Sequence, residues 1–205
     1  MENDRYKHSL TVLGLCVVND SISEIVRSIN ETKRVYTLND FYRPIAYPWL
    51  DSQCCDLTVF QIHEKLPEEL PEGRFVNWKN EYNERGAKAI VMKKQDGLRS
   101  QDEFPMEEAL TIFPKGWFQS SFGYMTAYAY IKQDIRDFRF FGFSMREAAH
   151  YRDSIPGCLY IFETLRKMGC SVFSPVENTW KSLMEKTGID WANIPDVKVM
   201  YGKSH

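Results

Sequence analysis

The chain is predicted to be an α/β protein, a three-layer sandwich around a mainly parallel sheet, on two observations. Short apolar, β-rich runs recur along the whole length, and stretches with helical periodicity alternate with them. Strands that alternate with helices form βαβ units with right-handed crossovers, which puts helices on both faces of a parallel sheet. The length of 205 residues suits a single domain, 1–205, with no need for a second core.

Ser9–Leu15 is an apolar run that stops near a glycine and reads as the first strand. Asn19-Asp20-Ser21 offers a helix cap, with Glu24 as capping-box partner of Ser21. Ile22, Ile25, Val26 and Ile29 come next at helical spacing, so this helix should lay one face on the sheet. Arg34–Leu38 is the second strand and Asp56–Ile62 the third. The span 66–83 holds Pro67, Pro71 and Gly73 and reads as loop around a brief extended piece at Arg74–Val76. Ala87–Met92 is a fourth strand, and the polar stretch 93–103 is expected to be a mobile surface loop. A helix over about 120–132 and the strand Phe138–Phe141 complete another alternation. Pro156 and Gly157 open a helix with Leu159, Phe162, Leu165 and Met168 on its apolar side. Cys170–Phe173 is the last strand, and the closing helix Trp180–Thr187 is stopped by Gly188. The first, second, third and late (138–142) strands should be neighbours.

The composition, 43% hydrophobic and 26% charged, is that of an ordinary globular protein. No apolar run approaches the ~20 residues that span a bilayer. The polar start, Met1 to His8, lacks the apolar core of a signal peptide, so a cytoplasmic protein is expected. The five cysteines include no C-x-x-C pair and no zinc-like spacing, and are expected to be reduced and mostly buried. A net charge of −2 gives no global field toward nucleic acid; Lys93-Lys94 and Arg136 with Arg139 read as solvated surface.

In an open parallel sheet, ligands bind beyond the C-terminal ends of the strands. The residues just past each strand therefore nominate a site: Gly14 and Asn19 after the first, Asn39, Asp40 and Tyr42 after the second, His63 and Glu64 after the third. After the late strand come Gly142, Ser144, His150, Tyr151 and Arg152. Ser120 and Ser121 stand where a helix begins, beside backbone N–H groups that favour an anion; equally, either may simply cap a core helix. Asn39 can bond a base or ribose through its amide, or cap the next segment as an Asx-turn. His63 is a general-base candidate or a turn hydrogen-bonder. His150-Tyr151-Arg152 combines a titrating imidazole, a phenol and a permanent cation, which suits a leaving phosphate and a proton transfer but also an exposed loop. Walker, G-x-G-x-x-G and G-x-S-x-G motifs are missing, as is a D-x-D pair for a metal on a diphosphate, so metal dependence is not indicated.

Leu38–Tyr42 with Asp56–Phe60, then Ser120–Ala129 and Phe140–Met145, resemble bacterial sialyltransferases with a single Rossmann-like domain. They are still more similar to short phage-encoded proteins related to these enzymes. The arrangement fits from about residue 10 to 180, and Leu165–Pro175 matches how such proteins close their last strand. The resemblance implies a nucleotide-activated sugar across the strand ends, as co-substrate and with no further cofactor. It places Asn39 on the nucleotide, Ser120 and Ser121 near its phosphate, and Gly142 and Ser144 under the sugar or ribose. His150 or Tyr151 takes the catalytic position. One departure stands out: the family's first strand ends in Gly-Asn-Gly-Pro-Ser, whereas this chain has Gly14-Leu-Cys-Val-Val-Asn19. A bulkier turn leaves less room for a phosphate.

The first functional reading is therefore a metal-independent, phage-encoded glycosyltransferase, with a hydroxymethylated DNA base as a plausible acceptor touched only locally. The second is a non-catalytic protein that sequesters a nucleotide signal against host defence. A scaffold on a decayed enzyme fold is the third.

Overall fold

Among the described residues, seven strands pair in one sheet: β1 Ser9–Leu13, β2 Arg34–Leu38, β3 Asp56–Gln61, β4 Lys88–Val91, β5 Gln101–Glu103, β6 Asp137–Phe141 and β7 Ser171–Phe173. The structure is a computed structural model, and it describes residues 7–14, 22–38, 50–61, 77–113, 121–143 and 154–190. The strand order is β5-β4-β3-β2-β1-β6-β7, and every pairing is parallel. As expected, the first, second, third and late strands lie side by side. Six helices complete the described residues: α1 Ile22–Thr32, α2 Trp78–Glu84, α3 Met106–Ile112, α4 Ser121–Gln133, α5 Ile155–Lys167 and α6 Glu177–Thr187. The architecture is a Rossmann-like α/β sandwich.

The period of two along each strand sorts side chains into two cores. Leu10, Val12, Tyr36, Phe60, Phe138 and Phe140 point to the face covered by α4, α5 and α6. Leu13, Val35, Leu57, Val59 and Phe141 share the other face with Ile25 and Ile29 of α1 and Trp78 and Tyr82 of α2. Central strands buried on both faces read as near-continuous apolar runs, as β1 does. Its one central hydroxyl is accommodated: Thr11 Oγ1 shares hydrogen bonds with Ser28 (2.8 Å) and Thr32 (2.9 Å) on α1. Helix α4 is buried from Phe122 through Ala129 and so is apolar nearly all round. At the sheet edge the Tyr128 hydroxyl donates to Asp102 (2.8 Å), itself paired with Lys88 at 2.5 Å.

Several expectations need correcting. The span 66–83 is not all loop, since α2 begins at Trp78; the Asn77 side chain caps it by accepting from the Asn80 N–H at 3.3 Å. Only Trp78 and Tyr82, spaced i and i+4, marked its apolar side. Ile22 and Val26 do not pack on the sheet but are 64% and 39% exposed. The inward arc of α1 is Ile25, Ser28, Ile29 and Thr32, centred by the hydrogen bonds to Thr11, and Val26 lies a quarter-turn away from it. The stretch 93–103 ends in β5, a polar edge strand paired with Ala89–Val91. The turn before it is tied to α2: Asn83 Nδ2 donates to the Gly97 carbonyl and its Oδ1 accepts from the Arg99 N–H, both at 2.8 Å. The extended piece at 74–76 and the cap at 19–21 lie outside the described residues. Gly188 closes α6 as expected, in the left-handed conformation at φ 68°. Among the described residues, no helix is long and apolar enough to cross a membrane.

Candidate functional site

The site arises from the connectivity. From β1 the chain crosses by α1 to β2, over the face that α2 shares. From β6 it crosses by α5 to β7, over the opposite face. β1 and β6 are parallel neighbours whose next described helices lie on opposite faces, the arrangement that in open α/β sheets leaves a ligand crevice beyond the strands' C-terminal ends. This is the topological switch point of the sheet.

Two of the nominated glycines meet there. The Gly14 N–H donates to the Phe141 carbonyl at 2.8 Å, one rung beyond the regular ladder. A Cβ on Gly14 would sit 2.2 Å from the Gly142 carbonyl oxygen and 3.0 Å from Cδ1 of Phe143, so only glycine fits. Gly142 takes φ 74°, which turns the chain sharply out of the sheet.

The same edge collects helix N-termini. Helices linking parallel strands run antiparallel to them, so α1 and α5 both start at the strands' C-terminal ends. Helix α4, thirteen residues or about 20 Å long, feeds the N-terminal end of β6 and hence also begins at this edge. An aromatic cluster fixes its start: the Phe122 ring stacks on Phe140 (4.7 Å) and meets Phe143 (5.1 Å) and Phe162 of α5 (5.5 Å) edge-on. Ser121 is thereby placed at the head of α4, beside the end of β6.

The three helix starts differ electrostatically. Helix α1 carries Glu24 in its first turn, which offsets the positive end of its dipole. The first turns of α4 and α5 carry no acid. Helix α5 has Pro156 in its first turn and so loses one N–H donor, leaving α4 with the fuller set. Of the three helix ends, that of α4 is therefore the best suited to an anion by its own dipole and N–H groups.

Of the nominated residues, the structure brings together Gly14 and Gly142 and sets Ser121 on the bordering helix. Asn19, Asn39, Asp40, His63, Ser120, Ser144, His150, Tyr151 and Arg152 lie outside the described residues. The start of α5 at Ser154 and Ile155 was not nominated, although a Ser with a Pro two positions on is a helix-start signal. The role of Phe122 and Phe143 was also missed, because a buried aromatic looks alike in a core and beside a site. Among the described residues, no three His, Cys, Asp or Glu side chains gather as a metal would require. Comparisons of the chain with protein-family models, curated proteins and solved structures give no significant match.

Proposed function

We propose that the chain is a nucleotide-sugar-dependent glycosyltransferase that works at this switch point without a metal. The observation that carries the reading is the meeting of Gly14 and Gly142 between β1 and β6, beside the acid-free N-terminus of α4. Such a crevice suits a phosphate-bearing ligand, and the resemblance to sialyltransferase-like proteins supplies the sugar. In this reading an acceptor hydroxyl oxygen attacks the anomeric carbon as the bond to the phosphate oxygen breaks. The nucleotide departs with that electron pair. Helix N–H groups, the Ser120 and Ser121 hydroxyls and Arg152 stabilise its charge, and His150 takes the acceptor proton, with Tyr151 or His63 as the alternative proton-transfer group. Asn39 and Asp40 hold the nucleoside, and Gly142 and Ser144 lie under the ribose or sugar. The acceptor assigned is a hydroxyl on a modified DNA base in a phage-infected cell's cytoplasm.

The turn Gly14-Leu-Cys-Val-Val-Asn19 favours a second reading, a protein that sequesters a nucleotide without turnover. Native mass spectrometry of co-purified ligand, then incubation with a panel of nucleotide sugars, separates the two. Released nucleotide and a glycosylated acceptor support the transferase; tight retention of an unchanged nucleotide supports sequestration; no nucleotide binding at all removes both. For the transferase, His150→Ala should lower turnover by roughly 10²–10⁴-fold. Asn39→Ala should weaken nucleotide binding by about 1–3 kcal/mol.

A further inference from the structure

At the C-terminal end of β2 the fold leaves one polar group unused. Thr37 is the penultimate residue of that strand, and the alternation of side chains puts it with Val35 on the face that carries α1 and α2. It is fully buried, and its hydroxyl has no hydrogen-bond partner among the described residues. Other buried polar side chains on this face are provided for. Thr11 of β1 shares hydrogen bonds with Ser28 and Thr32 of α1. Gln61, at the end of β3, accepts from the Tyr82 hydroxyl of α2 at 3.1 Å. A buried hydroxyl left without a partner lowers stability, and valine would fill the same space without that loss, so its presence calls for a reason.

The position of Thr37 supplies one. In the parallel register it stands beside Leu13 of β1, the residue before Gly14, at the strand ends where open α/β sheets take their ligands. Helix α4, whose start is the best suited to an anion, covers the opposite face. A threonine hydroxyl carries no charge and can both donate and accept, which fits the hydrogen-bonding edge of a base rather than a phosphate.

We propose that Thr37 is a specificity-determining residue of this site, and that its hydroxyl finds its partner in the base of a bound nucleotide. The inference rests on the nucleotide-binding reading given above. In it the ligand crosses the sheet edge over Gly14, with its phosphate at the start of α4 and its base beside β2 on the other face.

Isothermal titration calorimetry on the full chain tests this with the mono- and diphosphates of the four ribonucleosides. The wild type should prefer one base. Thr37→Val should weaken that nucleotide by roughly threefold to tenfold and narrow the preference among the four. The melting temperature of the ligand-free variant should stay the same or rise, since the hydroxyl removed had no partner. Thr58→Val is the control: its hydroxyl is equally buried and unpartnered among the described residues, but it lies mid-strand in β3 on the α4 face. That variant should bind the nucleotide as the wild type does. A wild type that binds none of the nucleotides removes the nucleotide reading and this inference with it. Binding without preference among the bases removes this inference alone. So does an affinity that Thr37→Val leaves unaltered or that Thr58→Val lowers equally. A lower melting temperature of ligand-free Thr37→Val also overturns it, because the hydroxyl then has its partner within the chain.

Discussion

Replacing Gly14 by Ala places one methyl group where β1 and β6 come closest. The new carbon would lie 2.2 Å from the Gly142 oxygen, and contacts below 3.0 Å are essentially never seen, so something must move by about 1 Å. The obstacle is backbone, and Gly142 is itself held in a tight turn at φ 74°, so relief has to come from parting the two strand ends. That strains or breaks the 2.8 Å bond from the Gly14 N–H to the Phe141 carbonyl. Losing that bond costs about 1 kcal/mol and overpacking a further 1–3 kcal/mol, so a destabilisation of about 2–4 kcal/mol is expected. For a chain of this size the melting temperature should fall by roughly 4–16 °C. Gly157→Ala in α5 is the control: nothing lies within 4 Å of its added carbon, and it should be neutral or stabilising by up to about 1 kcal/mol. Urea unfolding of both variants provides the measurement. If Gly14→Ala loses less than about 0.5 kcal/mol, the close approach at the switch point is not what fixes this glycine.

Phe122→Ala removes the ring that joins α4 to Phe140, Phe143 and Phe162; chemical denaturation should show a loss of about 3–5 kcal/mol. Glu177 is 8% exposed; burial works to raise its carboxyl, but hydrogen bonds from Arg166 (2.8 and 2.6 Å) and Lys181 outweigh this and hold it below the usual range. A folded-state pKa below the unfolded one means stability present above about pH 4 and lost as the pH falls through the folded value. The stability gap between wild type and Glu177→Gln should therefore shrink on going from neutral pH to about pH 2, and a gap that stays constant would count against the ion pair. Burial pushes the Cys55 thiol up to about 12, whereas Cys54 is exposed. Peptide mapping after brief alkylation of the native protein at mildly alkaline pH should find Cys54 modified and Cys55 intact; equal labelling would contradict the buried position of Cys55.

Local patterning in the sequence was enough to settle the fold class and most of its elements. Apolar runs such as Leu10–Leu13 and Leu57–Phe60 are long enough to fix a strand buried on both faces, and Leu159, Phe162 and Leu165 fix a helix. Alternation of the two then leaves little besides a parallel sheet with helices on both sides. Shorter or more polar elements escaped because their stability comes from neighbours. Helix α2 rests on two aromatic side chains and an Asn77 cap, β5 on pairing with β4, and the inward arc of α1 on Thr11. The site divides the same way. Gly14, Gly142 and Ser121 could be nominated because small residues at strand and helix ends have a local meaning. Only the strand order decided that Gly14 and Gly142, far apart in the chain, face each other at 2.2 Å from a would-be methyl group. The exposure of Phe173 and Val26 was likewise invisible, because it is settled only once the packing has chosen which side of each element to bury. Local propensity is encoded residue by residue, whereas proximity across the sheet is a property of the whole arrangement.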